Sequence, residues 1–385
     1  MIRTKVLVTR YGGAGDMIMM EPVLEALYYR HRPAEIYLRT HPHYADLHPF
    51  HPLIEEVVPG ILTANENSAP GLPSDEKKPR GYDFFYNTTG CVEMNRGVHG
   101  IDSFAFAMSA PPLRRTPVLY LDPKIPVEPQ DIVIHTPKTG RDSPRNADFR
   151  NYDVPAMLEA YLRKEGVEFK SITVIGQGEE KANGLQDFAR TIAGAKLFVG
   201  PDSAGAHIAA ALSVPHVVAY TPNFPRLTRA YPNTISVHDG DIELLLKTVA
   251  HTYRNLSEPQ VGHIEQLTEI LGRRFMHGKV NGPERCDLPA SSDRADGLLL
   301  FDVTGEEKWR DNVREWADRL NDGGTLFLYE KHKKYGGFDA VLLVKFLIES
   351  VGLEVLEYSA TADLYGGYYV AARKHRQRPV MGRVA

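Results

Sequence analysis

Cysteine is scarce in this chain. The 385 residues hold only Cys91 and Cys286, far apart in sequence, which excludes a disulfide scaffold and a paired-thiol metal site and fits a reducing compartment. No apolar run approaches the roughly 20 residues that a bilayer-spanning helix needs. The N-terminal apolar stretch within residues 1–13 is too short for a signal peptide, so a cytoplasmic location is expected. Neither charge dominates: 45 Lys and Arg face 49 Asp and Glu, a net charge of −4, which speaks against a surface built throughout to grip nucleic acid. Several signatures are also missing. His41, His43, His48 and His51 are interrupted by prolines and lack HExxH spacing, so no metal is expected. Gly12-Gly13-Ala14-Gly15 does not satisfy GxGxxG, and the second strand ends in Arg39-Thr40 where an NAD-binding protein carries an acid. No Gly-x-Ser-x-Gly elbow occurs.

What is present is an alternation of strands and helices. The 43% apolar content supports sizeable cores, and the length suits two or three domains. β-branched runs predict strands at 5–9, 35–39, 54–58 and 83–87, with helical spacing at 17–30, and the segment 100–109 completes a first α/β unit. Residues 63–80, rich in Pro, Ser and charge, read as a loop, and the Pro-studded stretch 111–130 as a connection. The alternation restarts with strands at 132–135, 171–175, 197–199 and 215–220 and helices at 154–164, 184–192 and 206–212. Such alternation implies parallel sheets covered on both faces, with ligand loops at strand carboxyl ends.

The most informative segment is the tight turn Gly200-Pro201-Asp202-Ser203-Ala204-Gly205 between a strand and a small-residue helix. Unpaired amides at such a junction point outward beside the positive helix end, an arrangement suited to a diphosphate. An ordinary strand–helix connection is the alternative. In the first block, Asp16 follows the glycine turn at the start of a helix, which Asp caps well.

Taken in order, Arg10-Tyr11-Gly12-Gly13-Ala14-Gly15-Asp16, with Pro22, Leu24, Leu27 and Pro33-Ala34-Glu35-Ile36, and then Gly200-Pro201-Asp202-Ser203-Ala204-Gly205-Ala206-His207, with Val214-Pro215, resemble the ADP-heptose:lipopolysaccharide heptosyltransferases of glycosyltransferase family 9. The resemblance spans roughly residues 1–255. It implies an α/β fold of GT-B architecture, two Rossmann-like domains facing a cleft, here 1–125 for the acceptor and 126–255 for the nucleotide-sugar. It further implies metal-independent, inverting transfer of a sugar from a nucleotide-diphosphate donor, with no cofactor required. Asp16 matches the catalytic base beside Gly15. Asp202, Ser203, Ala204, Gly205 and His207 match the loop that holds the leaving group; His207 either donates to a phosphate or is a packed histidine. Arg150 stands where the family has a lysine, and Arg can present two parallel donors to phosphate. Thr136, Arg141 and Arg145 lie near the expected phosphate position, and Gly176 and Glu179 match the segment that contacts the nucleoside. Asn87, Glu93, His99 and Asp102 are acceptor-side candidates, in a polar block unlike that of the lipopolysaccharide enzymes.

Beyond a helical connection at 256–290, residues 291–385 resemble the later half of a class I methyltransferase fold without its cofactor loop, a non-catalytic module for packing or homo-oligomerisation. Strands are expected at 298–303, 325–330, 353–358 and 368–372, helices at 261–274, 306–320 and 338–350, and a turn at 321–324. Its basic residues, Lys331 to Lys334 and 373–378, are either a solvated face or an attraction for an anionic acceptor. The acceptor is therefore a glycan, a lipid-linked glycan or a nucleic acid, and a non-enzymatic nucleotide-sugar binder is the competing class.

Overall fold

The computed structural model describes residues 3–60, 79–94, 98–136, 152–176, 184–220, 230–231, 234–238, 241–257, 280–285, 295–301, 309–331, 340–358 and 367–374. Two compact units emerge, Met1–Pro259 and Gln260–Ala385.

The first unit holds two parallel sheets. β1 (Thr4–Arg10), β2 (Ala34–Thr40), β3 (Ile54–Pro59) and β4 (Phe84–Asn87) stand in the order β3-β2-β1-β4. Helix α1 (Ala14–Arg30) follows β1, short α2 (Cys91–Met94) follows β4, and α3 (Gly100–Met108) comes next. The second sheet contains β5 (Gln130–His135), β6 (Ile172–Ile175), β7 (Ala195–Pro201), β8 (His216–Tyr220) and β9 (Thr234–His238), ordered β6-β5-β7-β8-β9. Helices α4 (Val154–Lys164), α5 (Leu185–Gly194), α6 (Ala204–Ala211) and α7 (Ile242–Ser257) cover it. The continuous Val, Leu and Ile runs of β1, β5 and β7 are what strands buried on both faces require.

In both sheets the chain reverses direction across the sheet. The reversal falls between β1 and β4 in the first and between β5 and β7 in the second. At such a point, the loops leaving the carboxyl ends of neighbouring strands diverge and open a crevice. One crevice edge therefore carries residues 11–16 and 88–94, and the other Thr136 and residues 202–205.

The two sheets share one apolar core. Val6 and Val8 of β1, Met17 and Met20 of α1, Val133 of β5, Phe198 of β7 and Ile208 of α6 all belong to it. A separate core on the far face of the second sheet joins Ile132 and Ile134 to Leu158, Leu162, Leu245 and Val249.

The second unit contains β10 (Val280–Arg285), β11 (Ala295–Phe301), β12 (Leu320–Lys331), β13 (Glu354–Tyr358) and β14 (Gly367–Arg373), with α8 (Trp309–Arg319) and α9 (Ala340–Phe346). Its order is β10-β11-β12-β14-β13, and β14 runs antiparallel to both neighbours. The turn expected at 321–324 lies inside β12 as an irregularity. Pairing jumps from Ala295↔Leu320 to Gly297↔Thr325, so Asn321 to Gly324 bulge out of the ladder. Two adjacent glycines permit such a loop-out without ending the strand. Part of the basic C-terminal end has a structural use. Lys374 Nζ donates to Ala317 O at 3.1 Å and Asp318 O at 3.4 Å, the last carbonyls of α8, and to Leu320 O at 3.0 Å just beyond it. The expected helix at 261–274 lies outside the described residues.

Candidate active site

The first junction is built around a buried ion pair. Asp16, in the first turn of α1, accepts through Oδ2 from Arg10 Nη2 at 2.8 Å and from Gly13 N at 3.2 Å. Arg10 is only 1% exposed; its Nη1 donates to Thr88 O at 2.9 Å, and its guanidinium lies 5.4 Å from the Phe104 ring centre. A Cβ at position 12 would stand 2.5 Å from Asp16 Oδ2, so a side chain there would have to displace the ion pair. Asp16 itself is half-buried. Nearby Tyr44 has its phenol pushed up, first by burial and then by the Asp16 charge.

At the second junction, β7 ends at Pro201 and α6 begins at Ala204 with Ser203 as its N-cap. The first amides of any helix lack an intrahelical acceptor. Ser203 and Ala204 are half-buried, whereas Gly205 and Asp202 are buried. His135, the last residue of β5, sets its Nδ1 2.8 Å from Ser203 Oγ. Thr136 follows it, donating its backbone N–H to Ile175 O at 2.9 Å. Its buried Oγ1 has no hydrogen-bond partner among the described residues. Gly176, at the end of β6, adopts φ +90°, the left-handed region that favours glycine.

The two junctions touch. A Cβ on Gly15 would lie 2.6 Å from His207 Cδ2, so α1 and α6 meet at their first turns. His207 is 4% exposed; its Nδ1 lies 2.6 Å from Tyr231 Oη, and its Nε2 lies 3.8 Å from Asp202 Oδ1. His99 extends this chain of rings from the first sheet: it caps α3 by accepting from Ile101 N at 3.2 Å, and its Nε2 faces Ala230 O at 3.2 Å. Its ring packs edge-on against Tyr231.

Of the other acceptor-side candidates, Asn87 ends β4 opposite Thr9 and accepts from Thr89 N at 3.0 Å. Glu93 lies on α2. Asp102 pairs with Arg115. Arg141, Arg145, Arg150 and Glu179 lie outside the described residues. His135, Tyr231 and the Arg10 partnership with Asp16 were not among the sequence candidates. His135 had one signal, its place immediately before Thr136.

Outside this region, the His48 and His51 rings serve the core. His48 Nε2 meets Met17 O at 3.2 Å, and His51 Nε2 meets Glu21 Oε1 at 2.8 Å. A cavity of about 880 Å³ opens at the opposite, N-terminal edge of the second sheet. Its Lys196 and Asp131 pair with each other at 2.7 Å, and it is remote from the strand ends where the junctions lie.

Comparison with known proteins supports the same part of the chain. Residues 162–249 match the family described as glycosyltransferase family 9 (heptosyltransferase). No curated protein matches the sequence. Among solved structures, the Escherichia coli ADP-heptose lps heptosyltransferase II is similar at 15% identity over 66% of this chain and 98% of that one, with a TM-score of 0.49. The E. coli heptosyltransferase WaaC with ADP-2-deoxy-2-fluoro heptose is similar at 14% identity over 66% and 99%, with a TM-score of 0.46. A family 9 glycosyl transferase from Veillonella parvula DSM 2008 shows 13% identity over 64% and 89%, with a TM-score of 0.41. Values this low carry nothing about substrate or site residues. The family match covers β6 through most of α7 and includes the whole Asp202–His207 junction, so it is this part of the chain that is similar to glycosyltransferase family 9 (heptosyltransferase).

Proposed function

We propose that the chain transfers a sugar from a nucleotide-diphosphate donor to an acceptor hydroxyl, with inversion at the anomeric carbon. Asp16 takes the proton of the acceptor hydroxyl as its oxygen bonds to that carbon. The bond from the carbon to the diphosphate oxygen breaks, and the nucleoside diphosphate leaves with the electron pair. The amides of residues 203–205 and the Arg150 guanidinium receive the leaving charge. Arg10 holds the Asp16 carboxylate in one orientation, the kind of support a base needs from its neighbours.

The observation that carries this reading is the contact of the two junctions at Gly15 and His207. It puts a half-buried carboxylate within one helical turn of an uncapped helix end belonging to the family-matched segment. A nucleophile's base and a leaving-group cradle have to be neighbours, and the proximity of Gly15 to His207 supports assigning those roles to the two junctions.

The test is a thermal-shift panel of nucleoside diphosphates and nucleotide sugars, ADP-heptose among them, followed by turnover assays of the donors that bind. Asp16→Asn keeps the shape and is expected to retain donor binding while transfer falls by about 10²- to 10⁴-fold. A flat panel removes the donor assignment, and normal transfer by Asp16→Asn removes the base.

A further inference from the structure

We propose that His135 is a positioning residue: by holding the Ser203 hydroxyl, it keeps that side chain from capping its own helix and leaves the first amides of α6 open to the donor's diphosphate. The inference rests on the transferase reading above.

A serine at an N-cap ordinarily turns its hydroxyl back onto the amide two or three residues ahead. Ser203 has the extended backbone for it, φ −154° and ψ 174°, yet makes no such bond. Its hydroxyl is turned instead to His135 Nδ1, 2.8 Å away.

The imidazole is a rigid partner. It is 2% exposed and packs edge-on against Phe188, with ring centres 5.1 Å apart. Two glycines of the junction make room for it: a Cβ on Gly205 would stand 2.8 Å from His135 Nδ1, and one on Gly200 3.3 Å from His135 Cβ. Side chains at either position would push the ring from beneath the turn. The neighbouring buried hydroxyl of Thr136, without a partner among the described residues, stands at the same pair of strand ends. Two hydroxyl side chains thus border the helix end, and neither caps it.

The test is a double-mutant cycle read by calorimetric titration of the full chain with pyrophosphate and with ADP. In the Ser203 protein, His135→Phe frees the hydroxyl to cap α6, and both ligands are expected to bind about fivefold more weakly, the factor that a typical serine cap represents. In the Ser203→Ala protein there is no hydroxyl to release, so His135→Phe is expected to add no further weakening. Equal weakening in both backgrounds, or none in either, overturns the proposal. If the unmutated protein binds neither ligand nor any other nucleoside diphosphate, the transferase reading falls first and takes this one with it. Amide exchange on the unmutated protein serves should His135→Phe fail to fold. The Ala204 and Gly205 amides are expected to slow on adding pyrophosphate, and amides that do not slow overturn the proposal.

Discussion

Helices α1 and α6 start from equivalent places, each following a central strand of a parallel sheet through a glycine-containing turn, yet their first turns are finished in opposite ways. In α1 the positive helix end is filled from within: the Asp16 carboxylate accepts from Gly13 N and pairs with Arg10. In α6 the residue able to do the same is diverted to His135. A helix end already holding a carboxylate has little left for an anionic ligand, whereas an uncapped one keeps its attraction. On the proposed reading, the pair divides the work of a transfer reaction, one end presenting a fixed anion and the other receiving one. The bodies of the helices differ as sharply. α1 carries Glu21 and Glu25 into the core, while α6 buries Gly205 to Ala211, with His207 as its one titratable side chain.

The largest predicted effect comes from the charged core of α1. Arg114 pairs with both Glu21 and Glu25, and all three side chains are fully buried. Arg114→Met leaves two carboxylates in an apolar interior without their cation, and is expected to cost about 3–5 kcal/mol in urea denaturation. Replacing both glutamates with Leu in the same protein removes the stranded charges and is expected to restore much of the loss. No substitution among the alanines of α6 has an electrostatic penalty of this kind to show.

The same contrast appears as pH dependence. Burial alone would raise the Glu21 carboxyl; Arg114 and His51 more than offset it, bringing it down from 4.5 to about 2. As acid is added, the unfolded chain takes up this proton first. The contribution of Glu21 to stability is therefore complete above about pH 4.5 and lost as pH falls towards 2, by about 3 kcal/mol for that shift. His216, on β8 beside α6, is pushed down by burial from 6.5 to about 4, so its contribution is lost earlier, between pH 6.5 and 4. Both changes run the same way. Stability is expected to be level above neutrality and to decline in two stages, and Thr234→Val, which removes a hydrogen-bonding partner of His216 at 2.8 Å, alters the upper stage alone. Equilibrium unfolding at stepped pH checks this.

Much of this frame is visible in the chain itself. The β-branched runs mark β1, β5 and β7, and the glycine turns mark both junctions, because strand burial and tight turns constrain local composition. β9 and α7 were not among the expected elements, although Leu245, Leu246 and Val249 carry the spacing of an amphipathic helix. The site is legible only in part. Asp16 and Ser203 stand out because the turns around them do. His135 does not, because its partner lies 68 positions away and they meet only once β5 is placed beside β7. Tyr231 and His207 are joined in the same way, by tertiary packing that no local pattern announces.

A third helix start sharpens the comparison at the smallest scale. α5 follows Gly184, which has no side chain to cap it and adopts φ +84°. The cap is supplied from elsewhere: Asp46, in the segment before β3 of the other sheet, accepts from Leu185 N at 2.7 Å and Gln186 N at 3.3 Å through one oxygen. This end is filled like that of α1, by a carboxylate, but across the two sheets. Asp46→Ala is expected to lower stability by about 1 kcal/mol, the usual worth of a cap. Asp46→Asn keeps the acceptor and drops the charge, so it is expected to cost less, with the remainder measuring the helix-end attraction alone. Thermal unfolding of the two variants at low and high salt separates these parts, since the charge contribution weakens with salt and the hydrogen bond does not. If neither variant moves the melting temperature, water satisfies this helix end as well as a carboxylate does. The distinction between filled and open ends would then carry no energy, and the open end of α6 would have no special claim on a diphosphate.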